Sequence, residues 1–134
     1  MLDDIALNLF SMDENFITIE YTFYGDRGGV GWDTKEFITF DKNTEQVIKI
    51  YDILKDNTKN ASEWNRILRK YAITQNNCLN DEPIPISEIF YFNRESITLV
   101  YNKYEIACGA DGVIGITLPL YEIRSYLKDE FYEK

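Results

Sequence analysis

The stretch NFITIEYTFY, residues 15–24, sets Ile17, Ile19, Tyr21 and Phe23 against Thr18, Glu20 and Thr22. That period of two belongs to a strand with one apolar and one polar face, because successive side chains leave a strand on opposite sides. Shorter runs of strand character recur: IALNLF at 5–10, KEFITFD at 35–41, and VIKIYDIL after the turn KNTEQ, ending in a short helical or irregular piece. IFYFN and SITLVY face each other as a hairpin around Arg94 and Glu95, and GVIGITL places Ile114, Ile116 and Leu118 on one face.

Only two stretches carry helical spacing. In NASEWNRILRKYAI, Trp64, Ile67, Leu68 and Tyr71 recur at i, i+3, i+4 and i+7, with Asn60 and Glu63 placed to cap the N-terminus. PLYEIRSYLKDEF opens on a proline in its first turn and aligns Leu120, Ile123 and Leu127. Strand runs with two separate helices indicate α+β rather than βαβ units. The expected fold is one domain over residues 1–134, an antiparallel sheet of about five to six strands with helices near 61–75 and 119–129. Its expected core includes Ile19, Trp64, Leu68, Phe90, Leu99, Ile116 and Ile123.

Composition removes whole classes of chemistry. There is no histidine, which excludes Ser–His and Cys–His nucleophiles, histidine bases and His-containing zinc sites. Cys78 and Cys108 lack Cys-x-x-Cys spacing; they form either one disulfide or two separate buried thiols. The net charge of −9 repels nucleic acid, and the densest basic stretch, Arg66, Arg69 and Lys70, is expected to face outward on a helix. An acidic surface suits a cationic partner or serves solubility. Aromatic residues reach 15%, ten of them Tyr, which suits a sheet-rich core with wet edges.

No apolar run approaches the roughly twenty residues a membrane helix needs. The start MLDDIALNLF has acids where a secretory leader has bases, so either Met1 is a native cytoplasmic start or a leader has been trimmed.

GDRGGVGWD lacks the lysine and Ser/Thr of a phosphate loop and is followed by a strand, so it reads as a turn. Arg27 and Trp32 within it are of the types enriched at binding hot spots. The acidic pairs Asp3/Asp4, Asp13/Glu14, Asp81/Glu82 and Asp129/Glu130 sit in turns or at ends, where acids are solvated. No spacing matches a calcium loop, and no motif supports an enzyme.

Tyr104-Glu105-Ile106-Ala107, a small-residue loop with Gly112, a strand ending at Leu118-Pro119 and a helix from near Tyr121 carry a resemblance. Upstream, in order, come a tyrosine and glycine turn (Tyr24, Gly28, Gly29), Phe40-Asp41, Tyr51-Asp52-Ile53-Leu54, a helix, and Phe90–Phe92. The chain resembles a bacterial domain-of-unknown-function family that forms the C-terminal half of RsiV-type anti-sigma factor ectodomains. The family also accompanies the catalytic domain in PdaC-type peptidoglycan deacetylases. This chain departs from it with Val30 and Gly31 where an alanine and a histidine are usual, and with Gly109 where an aromatic is common.

The resemblance implies a non-enzymatic extracytoplasmic domain that binds a cationic protein, a lysozyme-type wall hydrolase first, or the cell wall itself. A cytoplasmic immunity-type protein that neutralises a toxin is the other reading. The expected contacts are Tyr24, Arg27 and Trp32 at the glycine turn and Ala110 and Asp111 in the small loop, with no catalytic residue, metal or cofactor.

Overall fold

The computed structural model describes residues 2–27, 30–55, 61–73, 78–92, 95–108 and 111–132, of which 2–4, 25–27, 30–33 and 132 are described through their backbone alone. The chain divides into two compact units, residues 1–48 and 49–134. The fold is α+β and every strand pairing is antiparallel, as the alternating patterns require. The strands lie in two sheets of four and three, where a single sheet of five to six was expected.

The first unit is a meander. β1 (Leu2–Met12), β2 (Phe16–Arg27), β3 (Val30–Asp41) and β4 (Val47–Ile48) pair in chain order. Asp13 closes the first turn, its carboxylate accepting from the Asn15 and Phe16 N–H groups at 2.8 Å each. Asp41 does the same for Asn43 at 2.7 Å, the local side-chain bond that makes Asp a turn former.

The period in NFITIEYTFY is real, but its two faces are not divided as the polarity suggested. Thr18, Thr22 and Thr39 are each only 2% exposed, while Ile19 is half-buried and so leaves the expected core. Across the register Thr18 faces Thr39, and their hydroxyls bond at 3.0 Å, so the polar atoms satisfy each other. Phe10 and Phe37 meet edge-to-face at 4.9 Å between centroids. On β1, Ile5, Leu7, Leu9 and Met12 are 48–62% exposed.

The second unit holds α1 (Ile50–Ile53), α2 (Ala61–Tyr71), β5 (Phe90–Phe92), β6 (Ser96–Tyr101), β7 (Ile114–Pro119), a 3₁₀ helix (Leu120–Tyr126) and α3 (Asp129–Tyr132). The hairpin around residues 94–95 and the strand with Ile114, Ile116 and Leu118 inward form as read. The apolar stripe of α2 buries Trp64, Ile67 and Leu68. Trp64, Leu68, Phe90, Leu99, Ile116 and Ile123 are all 3% exposed or less and form the core of this unit.

The last expected helix is mostly 3₁₀, and Ile123 has non-helical angles (φ −114°, ψ 17°). Leu120 and Ile123 are three apart, the repeat of a 3₁₀ turn, so that geometry buries both without an α-helix. Leu127 then bridges to Leu54 in extended conformation.

Candidate functional site

The glycine turn is the end of a long hairpin. Pairing between β2 and β3 runs unbroken from Phe16–Asp41 to Arg27–Val30, so strand structure continues through Gly25, Asp26 and Arg27 and through Val30, Gly31 and Trp32. A strand and no helix follows it, in line with a turn and against a phosphate loop. Tyr24 stands opposite Asp4 on one side and Asp33 on the other, and is 44% exposed. The side chains of Arg27 and Trp32, and Gly28 and Gly29, lie outside the described residues.

The small loop belongs to the other unit, and Ala110 also lies outside the described residues. Asp111 is half-buried and serves the fold. Its N–H donates to the Cys108 carbonyl at 3.1 Å, and its Oδ2 lies 2.9 Å from Cys78 Sγ. Cys78 and Cys108 form a disulfide, Cα atoms 5.6 Å apart. Around it the Cys108 N–H donates to the Cys78 carbonyl at 3.3 Å and the Asn80 N–H to the Ile106 carbonyl at 2.9 Å, while Leu79 bridges Ala107.

Gly112, at φ +63°, is required for its left-handed backbone; a Cβ there would meet nothing within 4 Å. Gly112 thus gives the chain its left-handed step just after Asp111, beside the disulfide. Cys78, Cys108 and Asp111 offer ligand atoms within 4.8 Å of one another, but the bridge occupies both sulfurs.

The sequence named Tyr104 only as part of the family resemblance and not as a contact residue. It is 72% exposed in a left-handed conformation, φ 74°, which is costly for a bulky residue and needs surrounding bonds to hold it. Those bonds join its neighbours: the Asn102 N–H donates to Glu105 Oε1 at 2.5 Å, and the Glu105 N–H to the Asn102 carbonyl at 3.0 Å. No propensity pattern signals a left-handed tyrosine. Lys103 Nζ lies 5.5 Å from the ring centre.

The basic residues of α2 also behave differently from expectation. Arg69 does not face outward: it is half-buried and donates through Nη2 to the carbonyls of Asn80 (2.9 Å) and Glu82 (2.6 Å), fixing the 78–86 segment. Lys70 pairs with Glu122 at 3.2 Å, and the Tyr71 hydroxyl donates to the other Glu122 oxygen at 3.1 Å. The Lys70 hydrogen bond holds the Glu122 carboxyl below its ordinary value, and Glu122 holds the Lys70 ammonium above its own. Loss of water pushes Tyr71 up. Among the described residues, the shifted carboxylates Glu63 and Glu122 are each matched to a cation, which is structural pairing and not a catalytic acid–base set.

Among the described residues, two antiparallel sheets, three short helical pieces and one longer helix define an α+β protein in which a disulfide joins Cys78 to Cys108. Residues 39–121 match the family of proteins of unknown function DUF3298, and the chain belongs to that family. A crystal structure of a DUF3298 family member from Bacteroides fragilis superposes with TM-score 0.78 at 20% identity, covering 93% of this chain and 53% of that one. A DUF3298 family protein from Pseudomonas aeruginosa gives TM-score 0.74 at 17% identity, covering 96% of this chain and 62% of that one. The chain therefore spans less than two thirds of either solved relative. No curated protein matches it.

Proposed function

We propose that this domain works by binding rather than catalysis, and that its partner is a cationic protein of the cell envelope, a lysozyme-type wall hydrolase being the first candidate. The observation that carries the reading is the uneven placement of charge. Residues 1–48 hold ten Asp and Glu against three Lys and Arg, net −7; residues 49–134 hold thirteen against eleven, net −2. Solubility alone does not ask for acid in one unit. A unit of one sign steers an oppositely charged protein toward itself.

The same unit exposes Leu7, Leu9 and Met12 on its edge strand β1 and Tyr24 on β2, apolar anchors of the kind a hot spot needs. The resemblance to RsiV-type ectodomains supports the choice of lysozyme.

Titration calorimetry of the whole chain against lysozyme tests the proposal. Binding at low salt is expected, with an association rate that falls as salt rises from about 50 to 500 mM and the screening length contracts to a few Å. Tyr24→Ala and Leu9→Asp should each weaken it. Absence of heat at micromolar concentrations removes lysozyme, and affinity indifferent to both substitutions moves the contact out of this unit.

A further inference from the structure

Within the first unit, β1 is an edge strand: it pairs with β2 on one side, and no described strand lies on the other. Such an edge is normally protected by shortness, or by lysine, proline or a bulge along its length. At the far side of the sheet, β4 is two residues long. β1 has eleven residues and contains neither lysine nor proline. Its register shifts fall at Leu2/Asp4 and Leu9/Ser11, so residues 4–9 between them pair with β2 one for one. Within that regular run, alternate residues of Ala6–Leu9 turn their backbone N–H and C=O groups away from β2.

The side chains along this edge suit an added strand. Leu7 and Leu9 are two apart, share one face of the sheet, and are 60% and 62% exposed. A strand laid beside β1 sets its own alternate apolar side chains against them, and such cross-strand pairs stabilise a sheet. Acids frame this apolar centre. Asp3 and Asp4 stand at the start of β1, Asp13 and Glu14 follow its end, and residues 1–26 contain no lysine or arginine.

That framing chooses the occupant. A second copy of β1 laid antiparallel along the first brings the Asp3-Asp4 end of each toward the Asp13-Glu14 end of the other. Like charges opposite one another destabilise a sheet, whereas a basic strand meets the same acids as opposite charges. We propose that β1 takes up, as an added strand, an extended segment of a basic protein in which alternating apolar residues lie between lysines or arginines. Asp4 and Asp13 are nine positions apart, so basic residues at about that separation match both ends. The proposal rests on the cationic-partner reading and supplies its mode of attachment.

The test is an NMR titration of the ¹⁵N-labelled whole chain with a capped synthetic peptide, Lys-Arg-Ile-Thr-Val-Thr-Ile-Thr-Arg-Lys. A saturable response centred on the Ala6–Leu9 amides is expected, with a Kd below about 1 mM. Peptides N-methylated at every second residue, in either register, keep the charge and the side chains but cannot complete the ladder. The one blocked on its pairing side should bind about tenfold more weakly or worse. Leu7→Lys places a base on the edge at an exposed position, and should weaken the peptide as much while leaving far-UV circular dichroism unchanged. Four outcomes overturn the proposal. The first is no response up to the order of 1 mM, and the second is a response outside β1 and its neighbour. The third is equal binding of both N-methylated peptides and the parent peptide, which would mean contact by charge alone. The fourth is a concentration-dependent shift of the β1 amides in the chain by itself, which would make a second copy the occupant. Calorimetry with lysozyme separates the two readings. Peptide binding without lysozyme binding upholds strand addition for another basic protein, and lysozyme binding without peptide binding strikes strand addition alone.

Discussion

Replacing both cysteines by serine gives the sharpest measure of what the small loop does. The bridge joins residues 30 apart in sequence, so it removes the closure entropy of a loop of that length from the unfolded chain. The chain-entropy relation gives about 3.6 kcal/mol at 25 °C for such a loop. The native contacts around it survive substitution: the Cys108 N–H bond to the Cys78 carbonyl, the Asn80–Ile106 bond and the Arg69 grip on the Asn80 and Glu82 carbonyls use no sulfur. The folded state should therefore change little and the unfolded state much.

With a urea slope of about 2 kcal/mol per molar, the unfolding midpoint of Cys78→Ser/Cys108→Ser should fall by nearly 2 M, the slope itself rising slightly as the unfolded chain expands. Far-UV circular dichroism and tryptophan fluorescence, recorded under non-reducing conditions, check this together. A loss under about 1 kcal/mol would refute the entropy argument, because it would mean that local contacts already restrain the reduced chain.

The second unit was largely legible because its pattern and its packing agree. Trp64, Ile67 and Leu68 repeat at helical spacing and are all buried, and Ile114, Ile116 and Leu118 alternate inward along β7 as a half-buried strand should. The C-terminal element was legible as a buried stripe but not as a 3₁₀ helix, since residues three apart satisfy both repeats and only backbone angles separate them. The first unit misled in one respect. Periodicity locates two faces of a strand, but the more buried face here carries threonines, whose hydroxyls pair across the register. A pattern rule assigns such residues to solvent because it cannot see the partner.

The proposed contacts show the same division. Tyr24, an aromatic beside glycines, was legible and is exposed. Asp111 read as a loop acid open to a partner, yet it packs on a disulfide whose cysteines lie 30 residues apart in sequence, a pairing that spacing left open. Tyr104 was named in the resemblance, but its left-handed backbone and its exposure were not legible.

Leu68→Ala, at a side chain with no exposed surface, should cost about 2–5 kcal/mol in urea unfolding; a loss under 1 would show that this core collapses around the gap. Glu122 has a folded pKa below its unfolded value, so its contribution is present above the ordinary carboxylate range and lost as pH falls through the folded value; Glu122→Gln should flatten the acid limb of a thermal stability profile. Burial raises the Tyr101 phenol above its ordinary value, so the unfolded chain ionises first: stability holds below about pH 10 and then falls by about 1.4 kcal/mol per pH unit, a slope that Tyr101→Phe should reduce. The threonine face supplies the last prediction. Thr18 and Thr39 each satisfy the other's hydroxyl at 3.0 Å while 2% exposed. Thr18→Val is nearly isosteric and leaves the Thr39 hydroxyl buried without that partner, which should cost about 1–3 kcal/mol. Thr39→Val should cost a similar amount for the mirrored reason. The double variant removes both polar groups and buries two methyls in their place, so it should lie close to the parent chain and give a coupling of at least about 1 kcal/mol in a double-mutant cycle. Urea unfolding of the four proteins measures it. Losses that simply add would mean that each hydroxyl has another outlet, and the burial of a polar face would then need a different cause.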